Sequence, residues 1–495
     1  MSEVVENARP TKTASGRATT PLGFVVSLLF VALPAVLFYG IVVRNISTIP
    51  YDDDYFTLLG FLNQLVALPS MSAKVMYFLA AQHNEYKLFF VHAVTWLQYV
   101  LFGRLDLRAL TLFGDGFVLF LAILLWKMFL PQHNHLVARL AYFIPISWLL
   151  FQLQYWETAN WAMASLQNTP VLFFSFGAIY LLVKASPLAF WGALFSFIFA
   201  VAASGNGFIL IPIALLILFL NRRYKHIVVW LITTSVCIAA YAYRYNVMSS
   251  QTQQHHSILS TFHPLAPAYV IAFIGSAAGF PFKPASLILG FLLCIFFIWM
   301  VRRGYIRRNP LVSYCVLFLL LTSIGVAGLR SDFGLAQALS SRYTIYSALF
   351  LVFAWFAIVE EFLQHKRVPF LRNNPFLAAV ALSVLFGLCL DAFGLIEISN
   401  RTRNLVQAMA AYEHPTSQNS LTGPSPKLVD RTPDPLTDEV NRRARPILAE
   451  SIRLGIYRPL YHLESLQTNG SNPRRAPESL NQDGTRIARE ANILL

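Results

Sequence analysis

Apolar runs of about the length of a membrane span recur along most of the chain. They begin at Leu22 and end near Phe393, and short polar segments separate them. A helix needs about 20 predominantly apolar residues to cross the hydrocarbon core of a bilayer. The pattern therefore predicts an all-α, polytopic membrane protein with about 11 transmembrane helices. The predicted spans are residues 22–43, 107–129, 141–153, 169–183, 188–203, 208–220, 227–243, 286–301, 311–329, 345–359 and 375–393.

The segment between the first two predicted spans, residues 44–106, has a different pattern. Residues 56–66 and 71–81 are amphipathic, which predicts short helices lying in the plane of the membrane interface. Residues 88–102 are apolar but short, so a dipping helix and a span are both open there. The first loop is therefore expected to be large and to carry interfacial helices.

Basic residues predict the orientation of these helices. The polar tail before the first span contains three basic residues, and Lys and Arg are concentrated in alternate loops after it. Because cytoplasmic loops carry the excess of Lys and Arg, we expect the N-terminus inside and the first loop outside. The basic segment 302–308 falls inside only if residues 267–280 are a re-entrant piece. We favour that interpretation, although a span at 267–280 is the alternative.

The composition shifts near the end of the last apolar run. Residues 396–495 are rich in Pro, Asn, Ser and Arg, a composition typical of loosely docked or disordered chain. Within them, residues 438–454 are predicted to form one helix. The expected organisation is a cytoplasmic tail (1–21), a transmembrane domain (22–395) and a periplasmic C-terminal tail.

Charge and cysteine content exclude two classes of function. The formal net charge is +14, but much of the excess lies in short loops, where it sets orientation, so no nucleic-acid partner is expected. The four cysteines stand singly in apolar runs and are typical of small buried side chains, not of disulfides or a zinc site.

Three consecutive carboxylates, Asp52, Asp53 and Asp54, follow the first span. Carboxylates this close cannot all ionise freely, so one of them with a raised pKa could act as a general base. We rank Asp53 first for this catalytic role and Asp52 second. A divalent cation held by the triplet is an open alternative, as is a solvated loop that only ends the span.

Further polar clusters fall on the same predicted face as the triplet. Arginine binds phosphate in a bidentate manner, so carboxylates and arginines in one cleft suit a lipid-phosphate substrate. For Glu157 and Asn160 an aromatic belt is the simpler explanation, and for Arg342 it is snorkelling at the membrane edge. The candidate substrate-binding residues are His83, Glu85, Lys87, Glu157, Asn160, Arg330, Arg342 and Tyr343.

This layout resembles the GT-C glycosyltransferases, which include protein O-mannosyltransferases and aminoarabinose transferases. The similarity lies in one span, an acidic motif at the start of a large first loop with interfacial helices, and many further spans. Residues 83–87 are similar to the His-x-Glu-His-Arg cluster of some bacterial members, and they differ from it at Tyr86 and Lys87. Residues 341–343 are similar to the late Ser-Arg-Tyr segment of the same set.

The resemblance implies a function and a location. GT-C enzymes take a sugar from a polyprenyl-phosphate donor on the outer face of the membrane, and their first-loop acidic motif, here Asp52, Asp53 and Asp54, supplies the base. It implies a donor of the undecaprenyl phosphate type, a glycan, lipid or protein acceptor, and a bacterial inner membrane with the site periplasmic. A transporter or flippase of lipid-linked sugars and an O-antigen polymerase or ligase are the alternatives.

Overall fold

The computed structural model describes residues 21–84, 86–129, 136–246, 264–280, 282–364, 374–413 and 435–459. Within these ranges the chain is helical and has no β-strand, and the one extended pairing is a bridge between His83 and Tyr86. By internal contacts, the described residues up to Tyr457 form one unit. The predicted all-α class is confirmed for the described ranges. Glu85 lies outside them.

Nine helical segments in the described part of the chain are long and apolar enough to cross a membrane, and each covers one of the predicted spans. The multi-pass character of the protein is therefore confirmed. The nine segments are Pro21–Asn45, Leu107–Met128, Leu136–Asn160, Ala162–Lys184, Tyr224–Ala242, Pro284–Arg302, Pro310–Phe333, Ser341–Glu361 and Phe376–Leu405.

The helices are numbered here in chain order. A π-helical turn, Tyr55–Gly60, precedes α2, and several 3-10 turns join later helices. The helices are α1 (Pro21–Asn45), α2 (Phe61–Ala67), α3 (Met71–Ala80), α4 (Phe89–Phe102), α5 (Leu107–Met128), α6 (Leu136–Leu150), α7 (Trp156–Asn160), α8 (Ala162–Lys184), α9 (Pro187–Ala203), α10 (Leu210–Leu220), α11 (Tyr224–Ala242), α12 (Ala266–Ile274), α13 (Pro284–Arg302), α14 (Tyr305–Arg308), α15 (Pro310–Arg330), α16 (Ser341–Gln364), α17 (Asn374–Glu413) and α18 (Pro435–Arg453).

The other two predicted spans correspond to the shorter helices α9 and α10. They have 17 and 11 residues and are joined by the 3-10 turn Gly205–Ile209. Gly207 allows this turn, because a Cβ there would collide with the backbone of Ala200 and Val201. Both helices are shorter than an ordinary span, so the count of 11 spans stays a prediction.

The first loop forms the short helices expected from its pattern. The π-turn continues into α2, and α3 begins after Ser70, whose hydroxyl accepts a hydrogen bond from the backbone N–H of Ala73. Helix α4 has 14 residues and packs on α2 through His92 and Phe61, whose ring centroids lie 4.1 Å apart. In the other ambiguous region, α12 has nine residues and is too short to span alone, as expected for a re-entrant piece.

The C-terminal part of the chain differs from the expected loose tail. Helix α17 continues without interruption through the predicted domain boundary at 395, and α18 agrees closely with the predicted helix at 438–454. Helix α18 packs on the first loop. The side chain of Asn63 donates to the carbonyl of Ile447 (2.9 Å) and accepts from the hydroxyl of Ser451 (2.8 Å). Helix α18, the last described helix, thus packs on α2, one of the first.

Candidate functional site

Charged side chains from distant parts of the chain gather where the first loop meets α7, α15, α16 and α17. Most of them were singled out by the sequence, although they are separated by up to about 350 positions. We call this group the polar centre. It consists of Asp52, Asp53, His83, Glu157, Arg330, Arg342 and Arg401.

Asp54 is the structural member of the acidic triplet. Asp54 is 2% exposed. One of its carboxylate oxygens accepts hydrogen bonds from the indole N–H of Trp161 (3.1 Å) and the backbone N–H of Met163 (3.0 Å). The other oxygen accepts from the backbone N–H of Tyr51 (3.1 Å). Burial raises the pKa of Asp54 from 3.8 to about 7. Because both oxygens bind the protein, the predicted catalytic role does not fit Asp54; it anchors the loop to α8.

Asp53 forms a close pair with His83. Nε2 of the imidazole lies 2.8 Å from Oδ1 of the carboxylate, so the ring N–H donates to Asp53. Burial alone would raise the pKa of Asp53, but His83, followed by Arg342 and Arg330, holds the pKa below its ordinary value. Asp53 is therefore ionised at neutral pH, which is the opposite of the raised pKa expected for the base.

Asp52 has the properties that the sequence analysis assigned first to Asp53. Burial and the negative charge of Asp53 raise the pKa of Asp52 from 3.8 to about 7, although Arg342 and His83 oppose the shift. Its backbone is left-handed, with φ of 45°, a conformation that favours glycine and that a side chain adopts at a cost. Of the two residues, Asp52 therefore has the raised pKa that the sequence analysis expected of the base, and the catalytic ranking itself stays a prediction.

Glu157 connects α7 to the start of α16. Its carboxylate accepts from the backbone N–H of Arg342 and the hydroxyl of Ser340, both at 3.2 Å. Its own backbone N–H donates to the hydroxyl of Ser341 (3.1 Å), which in turn donates to the carbonyl of Gln154 (2.8 Å). These bonds fix the backbone of the Ser-Arg-Tyr segment, so Glu157 positions Arg342 and is not itself placed to bind a sugar.

The charges of Arg342 and Arg330 act on the Asp53 carboxylate. Arg342 lies over the ring of Tyr343, with Cζ 5.3 Å from the ring centroid, and Tyr343 packs on Phe273. Nε of Arg342 is buried and has no hydrogen-bond partner within the described ranges. Arg330 ends α15 and lies over Phe333 at 5.8 Å. Arg330 and Arg342 both lie near enough to Asp53 to lower its pKa, and their role in substrate binding, like that of Tyr343, stays a prediction.

Two other predicted substrate-binding residues, Lys87 and Asn160, donate hydrogen bonds to backbone carbonyls of the protein. Lys87 is fully buried, and its ammonium donates to the carbonyls of Leu79, Ala80 and Tyr243 at 2.7 to 3.1 Å. An ammonium has three donors, so none is left for a substrate, and that prediction is corrected. Asn160 is also buried and donates weakly to the carbonyl of Trp156 (3.4 Å).

The sequence analysis missed Arg401, on α17. It is 8% exposed, and its Cζ lies 4.2 Å from the ring centroid of Tyr51. Nε and Nη1 are buried and lack a hydrogen-bond partner in the described part of the chain. The predicted domain boundary at 395 excluded it. The available signal was the helical spacing of Gly394, Ile398 and Leu405, which continues the buried face beyond that boundary.

A cavity of about 660 Å³ opens on the other side of His83. Its walls are the π-turn, α2 and α3, residues 244–246 and α18. We call it the loop cavity. Because His83 lines this cavity while bonding to Asp53, it lies between the cavity and the polar centre.

The structure provides no ligand set for the metal alternative. No group of three or more His, Cys, Asp or Glu side chains within the described residues is placed to hold an ion. Asp53 and Asp54 instead bind different protein groups, namely His83 for the first and Trp161 for the second.

Comparison with known proteins adds no family assignment. No protein-family model matches the chain, and no curated protein is significantly similar to it. The side chains of the polar centre are therefore the basis for assigning a function.

Proposed function

We propose that the chain is a membrane glycosyltransferase that moves a sugar from a polyprenyl-phosphate donor to an acceptor hydroxyl. One observation carries the proposal: carboxylates from the first loop and arginines from α15, α16 and α17 meet at one end of the helix bundle. Charged groups at a membrane protein's apolar interior are costly, and where they persist they usually mark a functional site.

The three arginines suit a phosphate ligand. Arg342 and Arg401 each have at least one buried nitrogen without a partner among the described residues, so they can donate to oxygens that a ligand brings. Guanidinium donors bind phosphate strongly and stabilise negative charge as it develops. Arg342, Arg330 and Arg401 would therefore hold the donor phosphate and stabilise it as it leaves.

Asp52 is the residue we assign as the base. A general base works best when its pKa lies near the operating pH, and the pKa of Asp52 is about 7. The acceptor oxygen gives its proton to Asp52 and bonds to the anomeric carbon of the sugar. The bond from that carbon to the phosphate oxygen breaks, and its electron pair leaves with the polyprenyl phosphate. Asp53 remains ionised and holds His83.

We further propose that the polar centre lies on the periplasmic face of a bacterial inner membrane. Helix α16 begins at the polar centre, and near its other end Glu361 pairs with Arg308 (2.7 Å) in a basic segment. Basic segments favour the cytoplasmic side. The turn after α9 also reaches the polar end, where Asn206 lies 3.3 Å from the Tyr346 hydroxyl. In this proposal, helices α9 and α10 supply the last two of 11 spans.

The test is sugar transfer by purified protein in liposomes that contain a polyprenyl-phosphate sugar. We expect Asp52→Asn to lower kcat by roughly 10²- to 10⁴-fold, the usual contribution of a general base. Asp332→Asn is the control, because Asp332 is exposed and is not part of the polar centre. Full transfer by correctly folded Asp52→Asn and Asp53→Asn proteins would remove the triplet from the mechanism.

One observation favours a transporter instead. Asp115 lies in the middle of α5, is fully buried, and neither carboxylate oxygen has a hydrogen-bond partner within the described ranges. Intramembrane carboxylates of this kind form proton relays in transporters. Movement of a lipid-linked sugar across liposomes without a covalent product, abolished by Asp115→Asn, would establish that function.

A further inference from the structure

The loop cavity has a wall made by the end of the chain. Helix α18 contributes Arg443, Pro446, Ile447 and Glu450 to the lining, and the first loop contributes most of the rest. At about 660 Å³ the cavity is large enough for a small oligosaccharide segment or a drug-sized ligand. Its lining includes His83, whose imidazole separates the cavity from the Asp53 carboxylate.

The polar lining of the cavity carries net positive charge within the described residues. Arg244 and Arg443 both line it, and Glu450 is the acid among the lining side chains. Glu450 is already engaged, because both of its oxygens accept from Arg453 at 2.7 and 2.5 Å. A ligand entering the cavity therefore meets two guanidinium groups and a neutralised carboxylate.

Both arginines are exposed, and each lies near an aromatic ring. Cζ of Arg443 lies 5.4 Å from the ring centroid of Phe56. Arg244 has a left-handed backbone, with φ of 49°, where glycine would be less strained. Its segment is anchored because the side chain of Gln82 donates to the carbonyl of Asn246 and accepts from its backbone N–H, both at 2.9 Å.

The rest of the lining suits a carbohydrate. The amide of Gln64 and the aromatic rings of Phe56 and Tyr77 line the same space, while Asn63 and Phe61, also in the lining, are engaged with α18 and with His92. Amides hydrogen-bond to hydroxyl groups, and aromatic rings cover the apolar faces of sugar rings. The combination of these groups with two arginines selects an anionic sugar over a neutral one.

We propose that the loop cavity binds the acceptor through an anionic sugar residue, bearing a carboxylate or a phosphate, whose charge is met by Arg244 and Arg443. Naming this ligand as the acceptor rests on the proposed transferase function, whereas the binding of an anionic sugar does not. Helix α18 is then a specificity element: without it the cavity loses one wall and one of its two cations.

The experiment measures binding to the full chain in phosphatidylcholine nanodiscs, which carry no net headgroup charge. The probes are a hexuronic acid tetrasaccharide, a phosphorylated hexose tetrasaccharide and the neutral hexose tetrasaccharide. We expect at least one anionic probe to bind about tenfold more tightly than the neutral one, with a difference that shrinks as salt is added. Which anionic probe binds identifies the charged group.

Two substitutions and a control locate the site. Arg443→Gln and Arg244→Gln should each weaken binding of the anionic probe about tenfold and leave the neutral probe unchanged. Arg442→Gln removes the same charge from the same helix, but Arg442 is exposed and does not line the cavity, so it should have no effect. Equal binding of all three probes, or an equal loss in Arg442→Gln, would overturn the proposal.

The outcome is separable from that of the transferase proposal. Anionic binding that depends on Arg443, without transfer from any polyprenyl-phosphate donor, would support the cavity and reject the transferase. Transfer to a neutral acceptor at the same rate in wild type and Arg443→Gln would support the transferase and reject the proposed role of the cavity. Asp52→Asn should keep the anionic probe bound, because Asp52 does not line the cavity.

Discussion

At the scale of single residues, three aspartates that are identical in chemistry have different environments. Asp54 binds protein N–H groups, Asp53 binds His83, and Asp52 has a raised pKa of about 7. The sequence indicated that the three could not share one ionisation state. It could not rank them, because the pKa of each depends on partners up to 290 positions away, such as Arg342.

The pKa of Asp52 predicts the pH dependence of transfer. A base must be unprotonated, so the rate should rise with pH through about 7 and then level off. The charge of Asp53 raises the pKa of Asp52, so Asp53→Asn should move the midpoint to lower pH. The measurement is kcat/KM from pH 5 to 9, with Asp332→Asn as control. A midpoint that stays fixed or moves upward in Asp53→Asn would contradict the assignment.

Lys87 provides a prediction about stability. Lys87→Met leaves three buried carbonyls without their donor, and each bond to a charged donor contributes about 1.5–3 kcal/mol. We expect unfolding in detergent to become easier by at least about 3 kcal/mol. Lys74→Met, on the half-exposed face of α3, should change little. A Lys87→Met protein of normal stability that binds donor poorly would restore the substrate-binding role.

At the scale of helices, the apolar pattern located nearly every long element. The period and length of the apolar runs identified the nine long segments, because a helix that crosses a membrane needs a sustained apolar sequence. The pattern failed at α17, where a shift in composition at residue 395 concealed a helix that continues to Glu413. It also gave no information about the docking of α18, since that contact joins Asn63 to Ile447 across nearly the whole chain.

The continuation of α17 supplies a prediction about donor binding. Arg401→Gln removes buried donors assigned to the phosphate, so we expect KM for the lipid donor to rise about tenfold or more. Arg403→Gln lies two residues further along the same helix and is exposed, so it should behave as wild type. An unchanged KM in Arg401→Gln would restrict phosphate binding to Arg330 and Arg342.

At the scale of the whole molecule, charge is divided between the two ends of the bundle. The polar centre lies at the start of α16, and the basic segment of α14 lies near its other end. Sequence alone predicted this division from loop charges, because Lys and Arg are retained on the cytoplasmic side. A donor on the outer face can therefore reach the polar centre only if that end of the bundle faces outward.

Cysteine labelling tests that division. In a background without Cys237, Cys294, Cys315 and Cys389, single cysteines would replace the exposed residues Asp332 and Arg303. We expect a membrane-impermeant maleimide to label position 332 in intact cells and position 303 only after the inner membrane is opened. Labelling in the reverse order would place the polar centre in the cytoplasm and reject the outer-face donor.

The docking of α18 on the first loop has a consequence for how the protein is made. At typical synthesis rates, roughly 20 to 75 seconds pass between the appearance of residue 83 and that of residue 457. For most of that interval Asp52 and His83 have been synthesised but Arg443 has not, and Arg401 follows its first-loop partner Tyr51 by nearly as long. A chain that ends before Arg401 thus lacks cations of both proposed binding sites, the polar centre and the loop cavity.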